Sequence, residues 1–305
     1  MDKARQSLGV FLALLCVLNL AVASVRSSPE EQRFNLMLKA ERDTLGLPST
    51  QRMRVMEETY ENLFPGSADT DPTQLSDAEL GFNFRSTYIA AHFSRRLHHF
   101  AILSAQLSEL ESRGAANEDQ RRKLHETMMA LRLFEKADEY RARHPDLGLP
   151  AIPEIVTSKV LVDDGPLVYR VHRSDFKLIR DTAPIKDGIR IVAVVHPSCN
   201  PSRRALSDIM LDRRIWPAVR NVTQWMTPQG ARLDFQLLQK WNREHPEVEI
   251  KIPDSVRDWP MLTDWSTPHF YLLKDGEVVD EFMGWPSDGG NQQRLLELLG
   301  RGGLI

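Results

Sequence analysis

A single cysteine carries the most specific chemical signal in this chain. Cys199 stands in Cys199-Asn200-Pro201-Ser202, directly after 189–195, a run of Ile, Val and Ala around one Arg that reads as a strand buried on both faces. Helix formers fill 203–211, and Pro201 suits the first helical turn, where its missing N–H costs nothing. The spacing therefore predicts a thiol at a helix N-terminus. There it faces unpaired backbone N–H groups and the positive end of the helix dipole, both of which favour thiolate over thiol. Arg203 and Arg204 add to that field. His196, three residues upstream, is placed either to exchange a proton with the sulfur or merely to shape the turn. Sulfur acting as a nucleophile is the chemistry such a group supports. The histidines at 92, 98, 99 and 125 offer no i, i+4 pair and no defined ligand geometry, so neither a metal nor a cofactor is expected. The arginine-rich stretches at 95–96 and 121–123 read as solvated helix faces.

The elements that must hold Cys199 change character midway along the chain. Apolar spacings of three and four predict short helices over 34–45 and 53–63. Ser76 with Glu79 is a capping-box signature for a helix that runs to about 97 and continues or restarts over 94–110. Asn117 caps a further helix that lasts until His144-Pro145, giving an all-α region of antiparallel hairpins over 24–145. Residues 146–155, rich in Pro and Gly, read as a linker. Beyond it, 158–162 and 167–172 are alternating, β-branched runs around Asp163-Asp164-Gly165-Pro166, which predicts a hairpin, with 176–180 as a further short strand. Strands over 222–226 and 248–252 and a helix over 233–245 follow.

The ordered set becomes specific near the end. After the strand and Cys-x-Pro-x come Thr267-Pro268, a strand over 270–274, Asp275-Gly276, a strand over 278–283, Gly284 and a helix over 292–299. This set resembles the thioredoxin family over 189–300, and the preceding hairpin extends the unit to 156–305. The resemblance implies an α/β fold, a central mixed sheet flanked by helices, preceded here by the all-α region. It also implies that Pro268 is a cis proline beside Cys199 and that Thr267, together with Pro201, borders a groove for an extended substrate. Two departures qualify what is carried over. Ser202 stands where the resolving cysteine belongs, and Ala193 replaces the buried acid that accompanies it, so the intramolecular release of a mixed disulfide is unavailable. The catalytic assignment is thus Cys199 with Ser202 and His196.

Composition sets the context for that thiol. With 42% hydrophobic and 27% charged residues the 305-residue chain can bury a core, and its net charge of -3 carries no nucleic-acid footprint. Residues 1–23 have the basic, apolar and small-residue parts of a cleavable secretory signal, too short an apolar run for a stable membrane span. Export to a periplasm or beyond is the expectation. Cys16 would leave with the signal, so Cys199 would be a lone thiol in an oxidising compartment. Two functions follow. In one, Cys199 attacks disulfides or glutathionylated cysteines in exported clients and an external thiol resolves the adduct. In the other, the chain is a non-catalytic adaptor or assembly factor in an envelope complex, such as a conjugation or secretion system.

Overall fold

The computed structural model describes residues 27–158, 165–230 and 233–305. Six helices come first: α1 (Pro29–Asp43), α2 (Ser49–Leu63), α3 (Asp77–Ser94), α4 (Leu97–Ser112), α5 (Glu118–Ala130) and α6 (Phe134–Arg143). Ser76 and Glu79 do form a reciprocal capping box at the start of α3, and Asn117 with Gln120 forms another at α5. Over 94–110 the helix restarts rather than continues, and the helix expected from 117 to His144-Pro145 is interrupted. Arg95 and Arg132 both adopt left-handed backbone angles, φ 54° and 57°, which ends α3 before α4 and splits the expected 117–145 helix into α5 and α6. Both arginines give their guanidinium protons to backbone carbonyls, Arg95 to Gln229 and Arg132 to Pro253, Met129 and Gly230. Those tertiary anchors hold a conformation that local propensity disfavours.

The rest of the described chain is a mixed α/β unit around one eight-stranded sheet. Its strands are β1 (Glu154–Thr157), β2 (Leu167–Val171), β3 (Lys177–Thr182), β4 (Ile189–Val194), β5 (Thr223–Met226), β6 (Lys251–Pro253), β7 (His269–Lys274) and β8 (Glu277–Met283). Their spatial order is β1-β3-β2-β6-β5-β4-β7-β8. Strands β4, β5 and β6 are parallel, joined through α7 (Asn200–Leu211), the short α8 (Ile215–Val219) and α9 (Phe235–Glu244). Strand β7 returns antiparallel against β4, and β8 pairs antiparallel with β7 before α10 (Gly290–Arg301). The β7–β8 turn is Asp275-Gly276, both at positive φ, the geometry a two-residue hairpin requires. The hairpin expected over 158–172 falls in part on residues that are not described. Residues 159–164, which include most of its first strand, lie outside the described residues; its second strand is β2, which pairs antiparallel with β3, the further short strand expected over 176–180. Strand β1, whose first two residues belong to the expected linker, runs parallel to β3 at the sheet edge, where Ile155, Val156 and Thr157 satisfy a short pairing.

The period-two alternation of β4 is realised on both faces. Ile191, Ala193 and Val195 enter one apolar cluster while Val192 and Val194 enter another with Trp259, Leu262 and Tyr271. The first cluster also contains Leu80, Phe84, Leu103 and Phe134, so α3 to α6 pack onto the sheet. Phe134 meets Tyr169 and Phe235 edge-on at centroid distances of 5.3 and 5.9 Å. Polar contacts tie the halves as well. Arg257 donates to the Ser94 carbonyl and reaches Glu57 of α2 at 2.7 Å, while Arg96 holds the other side of the same carboxylate group. No helix among the described residues is long and apolar enough to cross a membrane.

The half-buried His92 and the buried His269 both sit against this frame. Burial, with the nearby charges of Arg95 and Arg52, pushes His92 down from 6.5 to about 4. Burial also pushes His269 down to about 4, against the opposing charge of Asp264. The unfolded chain therefore takes up protons near pH 6.5 that the folded chain refuses until about pH 4. Stability should be full above pH 6.5 and fall through this window by about 1.4 kcal/mol per pH unit for each ring. Urea unfolding between pH 7.5 and 4 checks this. A flat profile, or one unchanged by His269→Gln, would contradict the assignment.

Candidate functional site

The start of α7 is built as the spacing requires. Cys199 is the N-cap residue, with φ -84° and ψ 116°, and Pro201 lies in the first turn. The Cys199 carbonyl accepts the Arg203 N–H at 3.0 Å, closing the first helical hydrogen bond, and the sulfur is half-buried. Opposite it lies the Thr267–Pro268 peptide, which is cis. The Cys199 thiol points at the Thr267 carbonyl, with sulfur and oxygen 3.4 Å apart. Cys199 and Thr267 thus meet although 68 residues separate them, with Pro201 in the first turn that follows the cysteine and Pro268 directly after Thr267. The Pro268 carbonyl in turn accepts the Gly284 N–H at 2.8 Å, which closes the loop onto the end of β8.

Ser202 is fully buried beneath the cysteine, and its Oγ accepts the His196 N–H at 3.3 Å. This small hydroxyl pins the strand-to-helix turn. His196 occupies the turn too, but its ring is directed at Ser198: Nδ1 lies 2.6 Å from Ser198 Oγ and accepts the Ser198 N–H at 3.2 Å. Of the two roles open to it, shaping the turn is the one its hydrogen bonds serve. Burial lowers its pKa below 6.5, with Asp234 opposing, so the neutral ring dominates at neutral pH.

Arg204 and Arg203 take different paths. Arg203 hydrogen-bonds the side chain of Asn200, whereas Arg204 donates to the Trp285 carbonyl at 3.0 Å. The Trp285 indole N–H reaches Asp208 Oδ2 at 2.8 Å, so α7 is bound to the segment after β8 by two contacts one turn apart. Arg204 is thereby fixed close enough to act on the sulfur. Burial pushes the Cys199 thiol up, but hydrogen bonds from the Thr267 and Ser202 side chains, the Ser202 N–H and the Arg204 charge outweigh it. The net displacement is below the ordinary value. The Thr267 carbonyl favours the protonated thiol instead, but at 3.4 Å that contact is long.

Contacts that the linear pattern does not reveal support the site from the helical half. Ser49 Oγ accepts the Trp265 N–H at 2.8 Å, and Thr50 Oγ1 donates to the Thr263 carbonyl at 2.5 Å. The first turn of α2 is thus fastened to the segment that leads into Thr267. Away from the sulfur, His98 and His99 of α4 meet Glu61 of α2, a third donor that the sequence gives no reason to join to them. Comparison with protein-family models, curated proteins and solved structures finds no match to this chain.

Alkylation of Cys199 by iodoacetamide as a function of pH should give a midpoint below that of a free cysteine. Arg204→Met and Ser202→Ala should each move it upward, because each removes a group that favours thiolate. A wild-type midpoint at or above the free value would refute the electrostatic account.

Proposed function

We propose that the chain is an exported thioredoxin-like protein that performs thiol–disulfide exchange through one nucleophilic cysteine. The observation that carries this reading is the half-buried Cys199 sulfur at the N-cap of α7, 3.4 Å from the carbonyl that precedes a cis proline. Support for the fold reading comes from the β4–α7–β5 unit, the β7–β8 hairpin and α10, with β6 as a further parallel strand. The export reading rests on the pattern of residues 1–23, which lie outside the described residues.

The exchange has two steps. The Cys199 thiolate attacks one sulfur of a client disulfide, forming a mixed disulfide and releasing the other client sulfur as a thiolate. A second thiol then attacks the client sulfur of the adduct, forms a new disulfide with it and returns the Cys199 thiolate. When that thiol is a further cysteine of the client, the result is isomerisation with no net redox change; when it is external, the two steps leave one client thiolate and a disulfide between the other client sulfur and the external thiol, and a second equivalent of external thiol completes the reduction by forming its own disulfide. Residue 202 being serine, nothing within the Cys199-to-Ser202 turn can perform the second attack. The adduct should therefore wait for a partner thiol. Thr267 and the exposed rim around Pro201 would seat the client segment, and His196 would hold the turn.

Mixing the protein with a glutathionylated peptide and quenching in acid should trap a mixed disulfide on Cys199, detectable by intact mass, and Cys199→Ser should abolish it. Added thiol should discharge the adduct. Ser202→Cys should shorten its lifetime without added thiol, since an internal resolving group is restored. A folded wild-type protein that forms no adduct would transfer the role to the groove itself and leave the adaptor reading.

A further inference from the structure

The helical half holds a second group of chemistry-bearing side chains. Glu61 lies in the last turn of α2, and His98 and His99 lie in the first turn of α4. Both imidazoles turn their Nε2 atoms toward the same carboxylate oxygen: His98 Nε2 is 3.2 Å and His99 Nε2 is 3.1 Å from Glu61 Oε1. Adjacent helical residues ordinarily diverge around the axis, so this convergence is a specific arrangement of the first turn. The two rings lie 4.0 Å apart between centroids.

The two nitrogen-to-oxygen separations are compatible with a coordination shell. Zinc bonds to imidazole nitrogen and carboxylate oxygen are about 2.0–2.2 Å, so two ligands of one tetrahedral ion lie about 3.3 Å apart. Both nitrogen-to-oxygen distances fall close to that, and the ligand atoms of all three residues lie within 4.8 Å of one another. The outer contacts fit as well. His99 is fully buried, its Nδ1 lies 2.6 Å from Ser94 Oγ, and the Tyr60 ring meets it edge-on at 4.9 Å. In the tautomer that gives its Nδ1 proton to Ser94, the Nε2 lone pair is left for an ion beside Glu61, the role outer partners serve in metal sites. His98 and Glu61, about half exposed at 49% and 51%, leave an open approach for an ion and for water to complete its shell.

We propose that Glu61, His98 and His99 form a binding site for a divalent transition-metal ion, with zinc as the ion best matched by two imidazoles and a carboxylate. The site is independent of the Cys199 reading. The alternative to be excluded is a pair of imidazole N–H groups donating to one carboxylate with no affinity for metal.

The test uses the full-length protein stripped with EDTA, dialysed and titrated with ZnCl2 by isothermal calorimetry. One equivalent of zinc should bind. Glu61→Gln and His98→Ala should each weaken binding more than about tenfold, the lower end of what outer-sphere changes alone cost in metal sites. Both positions are half exposed, so circular dichroism should show the fold intact. Cys199→Ser should bind as wild type does. Binding that survives in the Glu61→Gln, His98→Ala double variant, that disappears in Cys199→Ser, or that is absent from the folded wild-type protein would overturn the proposal.

Discussion

The antiparallel pairing of β4 with β7 is the constraint on which the site depends. Six residue pairs, from Ile189 with Lys274 to Val194 with His269, lock the two strands in one register. Cys199 follows the end of one strand and Thr267 precedes the start of the other, so this register brings sulfur and carbonyl into contact. A slip by one residue would turn every side chain of β4 to the opposite face. Since both faces of β4 are filled, by Ile191 and Ala193 on one side and Val192 and Val194 on the other, such a slip exchanges two packed cores at once. Register is therefore strongly specified by burial, and the site inherits that precision.

Around the contact, stabilisation of a thiolate is divided among several weak sources. Backbone N–H groups at the start of α7, two hydroxyls and one arginine act together against the cost of partial burial. Ala193 adds nothing polar beneath them, being fully buried in the apolar cluster. The arginine matters through its placement: Arg204 is held by the Trp285 carbonyl while Trp285 is held by Asp208, so the charge cannot swing freely into solvent. Arg203, its neighbour in sequence, faces Asn200.

The helical half is part of the same construction. Its apolar residues join the core that receives Ile191 and Ala193, and its α2 start is bonded to Thr263 and Trp265. Glu57 adds a charged joint between Arg96 and Arg257; burial opposes its ionisation, but the two guanidinium groups outweigh that and hold its carboxyl below the usual range. The approach to Thr267 is thus fixed from both halves. Losing the helices would expose apolar surface and also release the segment that carries the carbonyl facing Cys199.

The sequence by itself determined what depends on neighbours a few residues away. The apolar run of β4, the proline in the first turn of α7, the two capping boxes and the Asp-Gly turn are local signals, and each produced its element because backbone angles and period are set locally. Tertiary structure decided what depends on distant anchors. Arg95 and Arg132 break helices because carbonyls more than 90 residues away accept their protons, and β1 forms where a parallel partner is available. The orientation of His196 toward Ser198, the fixing of Arg204 by Trp285 and the meeting of Glu61 with His98 and His99 belong to the same class. A side chain's direction is chosen by the partner that satisfies it. Where that partner lies outside the local turn or on another element, only the folded chain can supply it.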